Sequence, residues 1–287
     1  MSLRSMTAFA SVEQVTPWGV LACDLRAVNH RYLDLAVRMP DELRSLEPAV
    51  RERVAAAVSR GKVDLVLRLL NAATTSDLRI NRTRLQQLGA MAAQAAGHFP
   101  GLRVELTQLL QFPGVLEAAA TDAEALQGAA LVVLDAALAQ FRAAREREGM
   151  ALTAAIAERV DGIAGIAAQV REWMPAIRDG QRRKLQARLA DLAQPADPGR
   201  VEQELVLWLQ KLDVDEELDR LDSHIAEIRR VLQQQAPAGR RLDFLLQEFN
   251  REANTLGSKS VDARSTNAAV ELKVLIDQIR EQVQNLE

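Results

Sequence analysis

The stretch RRLDFLLQEFNREANTLGSKS, from Arg240 to Ser260, carries Leu242, Leu245, Leu246, Phe249, Ala253 and Leu256 at the spacing of one helical face. Around that stripe, Asp243, Gln247, Asn250 and Asn254 form one polar row, and Glu248, Glu252 and Lys259 form another. Arg240, Arg241 and Arg251 add positive charge. Asn and Gln are indifferent helix formers, so they keep mid-helix places chiefly where their amides hold a partner backbone or a ligand. A second stretch, KLDVDEELDRLDSHIAEIRRVL (211–232), is built the same way. Val214, Leu218, Leu221, Ile225, Ile228 and Leu232 step by four, three, four, three and four residues, which defines a buried seam. Asp213, Glu217, Arg220, His224 and Glu227 fall on the neighbouring stripe, and Glu216 lies beside Arg220 at i,i+4. Carboxylates and an imidazole on one face make half of a site for Mn2+ or Mg2+. If the two helices face each other, their carboxylates converge on one or two metal ions, and the surrounding Arg and Lys receive phosphates. Two plainer arrangements use the same residues. One is a solvated face with i,i+4 ion pairs worth about 0.2–0.5 kcal/mol each. The other is a buried polar network that fixes helix register.

Further polar residues lie near the N-terminus. RAVNHRYLD sets His30 among Arg26, Asn29 and Arg31 at strand ends, a cluster able to grip a phosphate or polarise a leaving group. A structural histidine near a turn satisfies the same pattern. His98, in the GHFPG loop, reads as a surface residue. Cys23 is the one cysteine, which rules out an internal disulfide and any cysteine-based zinc cluster. In LACDLRAV it reads as a buried, inert thiol. Gly61 in SRGKVD stands without P-loop spacing, and neither a G-x-S-x-G elbow nor an H-E-x-x-H pair occurs.

Charge narrows the function classes. The chain holds 36 basic and 39 acidic residues, a net of −3, so no global basic field marks it for nucleic acid. The balance is uneven: residues 1–70 hold ten Lys/Arg against eight Asp/Glu, net +2, and residues 200–287 hold twelve against seventeen, net −5. An acidic C-terminal part in a protein that meets a polyanion needs a reason, and bound divalent metal supplies one. Aromatic content of 3% argues against base-stacking platforms. MSLRSMTAFA lacks the charged start and continuous apolar run of a signal peptide. No window approaches the ~20 apolar residues that span a bilayer. The expected location is the cytoplasm, with no membrane partner.

The elements that must position these residues are legible in outline. MTAFASVEQV, WGVLACDLRAVN and RYLDLAVRMP alternate as half-buried strands. Pro40-Asp41 then opens a helix, with Asp41 as its cap and Leu43, Leu46, Val50, Val54 and Val58 at helical spacing. Arg60-Gly61 ends it, and KVDLVLRLL returns as a strand. The order β-β-β-α-β predicts a small α+β domain over residues 1–75. NAATTSD (71–77) is a polar break, after which the chain is almost entirely helical. RTRLQQLGAMAAQAA and ELTQLLQ are two helices, and a long helix or helical hairpin runs from Asp122 to about Met174, with Pro175 opening a new segment or a kink. QPADPGR (194–200) and QQQAPAGR (233–240) are linkers. The predicted fold class is α+β: an N-terminal sheet-and-helix domain, a long-helix middle region over 76–199, and a helical C-terminal domain over 200–287.

In their order along the chain, RAVNHRYLD with RMP after it, SRGKVD, FPGV, REREG, RVEQEL, DVDEELDRLDSH and GRRLDFLLQEFNREANTLGSKS resemble the YicC-like endoribonucleases of bacteria. The resemblance runs from Ser5-Met6-Thr7 to the end of the chain. It implies a metal-dependent enzyme that cuts RNA internally, and a homo-oligomer, a hexamer, built through its helical part. Association with other RNA-decay proteins goes with it. Carried over by motif, the expected metal ligands are Glu216, Glu217, His224, Asp243, Glu248 and Glu252, binding Mn2+ or Mg2+. Glu217, His224, Glu248 and Glu252 carry the chemistry, with His30 as general acid or base. Arg26, Asn29, Arg31, Arg220, Arg240, Arg241, Arg251, Asn254 and Lys259 bind RNA, and Gln247 orients ligands. Two rival functions use the same residues: a non-catalytic adaptor that presents RNA to other nucleases, and a purely structural helical scaffold.

Overall fold

A computed structural model of the protein describes residues 3–70, 79–99, 101–117, 122–190, 198–234 and 238–287. The chain forms two compact units, one of Phe9–Arg26 and Tyr32–Gln140, the other of Met1–Ala8, Ala27–Arg31 and Phe141–Glu287. They divide the chain differently from boundaries at residues 75 and 199. The polar break at 71–77 lies outside the described residues, as do residues 194–197 and 235–237 of the two linkers.

The first unit is α+β, as its alternation predicts. Strands β1 (Ala8–Thr16), β2 (Gly19–Val28), β3 (Leu33–Arg38) and β4 (Gly61–Leu70) form one sheet in the order β1-β2-β4-β3. β3 and β4 are parallel, with Leu33 opposite Gly61 and Arg38 opposite Val66. A parallel pair needs a crossover, supplied by a 3-10 turn (Asp41–Leu46) and helix α1 (Glu47–Ala57). Leu21, Cys23 and Leu25 of β2 and Val63, Leu65 and Leu67 of β4 are buried, as are Leu43, Leu46, Val50 and Val54 of the crossover. On the other face Asp24 accepts from Ser11 at 2.7 Å and pairs with Arg68. Burial, with Asp24 beside it, pushes the Cys23 thiol up to about 12, so it is no nucleophile at neutral pH. Asp41 does not cap: its carboxylate pairs with Arg44 at 3.2 Å, and the α-helix opens later, where Pro48 fits the first turn. The unit also holds β5 (Arg79–Ile80) paired with β6 (Leu116–Glu117), and α2 (Arg82–Ala96) and α3 (Leu106–Leu110) between them.

Helix α4 (Ala123–Ala190) begins in the first unit and continues in the second. Asp122 caps it, accepting from the Ala125 amide at 3.1 Å. An 18-residue window of α4 has mean hydropathy 1.3, enough by length and composition alone to cross a bilayer, which corrects the expectation that no such window exists. On one side of it Leu126, Ala130, Val133, Leu134, Leu138 and Phe141 form a stripe buried within the protein, while Val132 is exposed. The helix runs on through Pro175, where the sequence predicts a new segment or a kink. Val170, Met174 and Ile177 on either side are all in the core, and that packing outweighs one missing backbone donor.

The second unit is helical: α5 (Pro198–Lys211), α6 (Asp215–Gln233), α7 (Gly239–Lys259) and α8 (Ala263–Val283) join the rest of α4. The seam predicted on α6 is buried from Val214 to Ile228, with Val231 rather than Leu232 closing it. The six-residue stripe on α7 is buried throughout. Asp262 caps α8 by accepting from the Arg264 amide at 2.9 Å.

The REREG motif is a clasp. Arg145 is 4% exposed and donates to the Ser5 carbonyl at 2.6 Å and to Glu287 at 2.5 Å. Glu146 pairs with Arg4 at 2.6 Å, and Glu148 accepts from Thr7 at 2.8 Å. At Gly149 a Cβ would stand 2.2 Å from the Leu3 carbonyl oxygen, so only glycine admits that strand. Gly149→Ala is expected to destabilise the protein by about 1–3 kcal/mol, read as a lower urea midpoint.

The Arg264 side chain first, and then the Arg264 amide, hold the Asp262 carboxyl below its ordinary range. A carboxyl lowered by folding contributes stability above its unfolded pKa and loses it as pH falls through the folded value. Asp262→Ala should therefore cost about 1 kcal/mol at pH 7. The deficit should shrink as pH drops below about 4, checked by denaturation across pH.

Candidate metal and RNA site

The heptad-like steps of α6 and α7 bury one face of each helix against the other, and the polar stripe next to each seam is carried into the contact. Glu217 and Glu252 are each only 2% exposed. Two buried carboxylates require partners. Glu217 has Lys259, whose ammonium donates to both its oxygens at 2.9 and 3.0 Å and to the Asp213 carbonyl at 2.8 Å. Arg220 lies 3.1 Å from Glu216, 3.8 Å from Glu217 and 3.4 Å from Glu252. One guanidinium thus links three carboxylates across the two helices.

Beyond Glu252 the constellation opens into a different chemistry. His224 of α6 and Glu248 and Glu252 of α7 each place one ligand atom within 4.8 Å of the others. The two glutamates are one helical turn apart, so both side chains meet the imidazole. His224 stands edge-on to Phe249, 6.0 Å between ring centroids and 76° between planes, which fixes the ring. Its Nε2 is buried and makes no hydrogen bond. A buried nitrogen without a partner beside two carboxylates fits a divalent cation. Ligands on opposite sides of a small divalent ion lie about 4.2 Å apart, so small side-chain rotations close the set. Among the described residues this is the one such cluster of three.

The structure sorts the other expected residues. Glu217 is held by Lys259 and stands outside the three-residue group. Lys259, expected on phosphate, is turned to Glu217. Glu216 and Asp243 are exposed, Glu216 on Arg220. Arg241 and Arg230 both pair with Glu227, whose carboxyl is lowered chiefly by its hydrogen bond to Arg230. Arg251 is exposed and 4.0 Å from Glu248, and Arg240 is exposed. Gln247 and Asn254 are exposed, and neither amide is hydrogen-bonded among the described residues. Asn29, His30 and Arg31 belong to the helical unit, where Asn29 donates to the Gln284 carbonyl at 2.6 Å at the end of α8. Arg26 belongs to the other unit.

One feature escaped the sequence reading. Ser260 shares hydrogen bonds with Ser265 at 2.5 Å and Thr266 at 2.8 Å, closing the turn from α7 to α8 directly after Lys259. The hydroxyl density of SKSVDARST was the available signal.

A family model described as endoribonuclease YicC-like, C-terminal, matches residues 170–287, and one described as endoribonuclease YicC-like, N-terminal region, matches residues 3–154. The chain belongs to the YicC-like endoribonuclease family. A Haemophilus influenzae protein named probable endoribonuclease YicC is 43% identical over 290 residues, covering 99% of this chain and 100% of its own. A Clostridioides difficile protein of the same name is 30% identical over 290 residues, covering 99% of each. The C-terminal YicC-like segment contains the whole candidate site, from Asp213 to Thr266.

Lys259→Met would leave Glu217 buried without the ammonium that binds both its oxygens. The expected cost is about 3 kcal/mol in denaturant unfolding, most of it recovered by adding Glu217→Gln.

Proposed function

We propose that this protein is a divalent-metal-dependent endoribonuclease in which His224, Glu248 and Glu252 hold Mn2+ or Mg2+. The observation that carries the reading is His224, which sets a ring nitrogen within 4.8 Å of two carboxylates and whose buried Nε2 has no hydrogen-bond partner. Family membership and the names of the two relatives support RNA as substrate and internal cleavage as the reaction. Bound there, the ion would supply Lewis-acid stabilisation of charge on a phosphodiester in its transition state, or a water of lowered pKa.

The chain's own residues prepare that position. Four carboxylates (Glu216, Glu217, Glu248, Glu252) stand against three cations (Arg220, Arg251, Lys259), which leaves the group attractive to a further positive charge. Lys259 neutralises Glu217, so the deepest carboxylate does not compete with Glu252. Arg220 aligns Glu252 and is itself 44% exposed, so its guanidinium can also meet a phosphate. Arg251, 72% exposed at the rim, is the second phosphate contact. Cytoplasmic residence and assembly as a homohexamer belong to the same reading, on the strength of the family resemblance.

The test is cleavage of a labelled structured RNA by wild type and by Glu248→Ala, each with Mn2+, Mg2+ or EDTA. Wild type is expected to cut internally only with metal. Glu248→Ala should bind RNA but cut about 100-fold more slowly or worse, the scale of losing several kcal/mol of transition-state stabilisation. Equal cutting by both proteins would place the active site elsewhere. Binding by both with cleavage by neither would make the protein an adaptor.

A further inference from the structure

The stretch RDGQRRKLQARLA (178–190), the last turns of α4, holds five basic residues against one acidic, inside a unit whose residues 200–287 are net −5. We infer that its exposed cations Arg182, Arg183, Lys184 and Arg188 form a phosphate-binding surface for RNA, continuous with the candidate site. The assignment of RNA as the polyanion rests on the function proposed above.

These cations differ from their neighbours. Arg171 and Arg178, about three turns and one turn upstream of Arg182, are neutralised by Asp219 and Asp222 and by Asp213 and Asp215. Arg182, Arg183, Lys184 and Arg188 are exposed and make no salt bridge among the described residues. The helix dipole explains only Arg188, the one cation in the last turn. A solvated helix normally interleaves signs at i,i+3 and i,i+4, and here Asp179 is the one acidic residue available.

Hydrogen bonds and an ion pair tie this surface to the site. Gln181 donates to the Val261 carbonyl at 3.2 Å, two residues after Lys259. Arg178 binds the carboxylate of Asp213, the residue whose carbonyl accepts from Lys259. Lys184 lies near enough to Asp262 that its charge adds to the effect of Arg264 in lowering that carboxyl. An RNA strand with one phosphate at the metal group therefore has further phosphates within reach of these turns. The exposed residues between the cations are Gln186 and Ala187, with no large apolar side chain, so the face does not suit a membrane surface.

The test is binding of a short labelled RNA in EDTA, by fluorescence anisotropy across a salt series. It compares wild type, the quadruple variant R182Q/R183Q/K184Q/R188Q, and a control R142Q/R147Q about ten turns earlier on the same helix. The quadruple variant should bind about tenfold or more weakly near physiological salt, with the slope of log affinity against log salt shallower by about 3. The control should stay within about twofold. If the quadruple variant loses its helical signal, the two double variants R182Q/R183Q and K184Q/R188Q should each show part of the effect. Unchanged affinity and slope in the quadruple variant, or no RNA binding by wild type, overturns the inference. Equally tight, salt-dependent binding of polyglutamate through the same residues would overturn the assignment to RNA. Cleavage is scored separately. Metal- and Glu248-dependent cutting with an unaffected quadruple variant sinks this inference alone, and patch-dependent binding without cutting sinks the nuclease reading alone.

Discussion

Burying a carboxylate is costly unless a cation or donors come with it, and the contact between α6 and α7 buries two. Everything around them follows from that constraint. Glu217 is satisfied only if Lys259 reaches it from the far end of α7, which fixes how the two helices lie along each other. Lys259 can do so only if α7 stops where it does, and the Ser260, Ser265 and Thr266 hydroxyls with the Asp262 cap make that stop. Glu252 is satisfied in part by Arg220, and on its other side meets His224 and Glu248. Structural and chemical roles are thereby separated: one buried glutamate closes an ion pair, and the other stands beside a histidine whose buried Nε2 has no hydrogen-bond partner.

The rest of the helical unit holds this pair of helices in register. The shared core of α4, α6, α7 and α8 supplies most of the stabilisation, as apolar burial generally does. At the end of α8 the chain is fastened twice. Residues 3–7 are clamped by REREG and by the strand-like pairing of Ser5 with Leu286, and Asn29 grips the Gln284 carbonyl. The N-terminal motif RAVNHRYLD is therefore divided between the two units, with Ala27–Arg31 serving the helices.

Helix positions and their buried faces were readable because periodicity is local. The stripe from Leu242 to Leu256 and the seam from Val214 to Ile228 are buried as their spacing requires. The misses have local causes of another kind. Pro175 opens no new segment because its neighbours on both sides are in the core, and burial is not visible in a proline's own preferences. Asp41 pairs with Arg44 instead of capping, since the helix proper begins six residues later.

For the candidate site, the sequence by itself determined the cast. The polar stripes beside two amphipathic seams, and a histidine two turns from Glu217, were enough to name His224, Glu248, Glu252, Glu217, Arg220 and Lys259 together. Only the tertiary structure decided who meets whom. Residues on one helix face are set by the 3.6-residue repeat, but pairing across helices depends on their axial offset and rotation, which packing of the whole unit settles. That offset gave Lys259 to Glu217 and set His224 beside Glu248 and Glu252. It also brought the basic end of α4 beside the turn that follows Lys259, a neighbour about 80 residues away in the chain and invisible to any local reading.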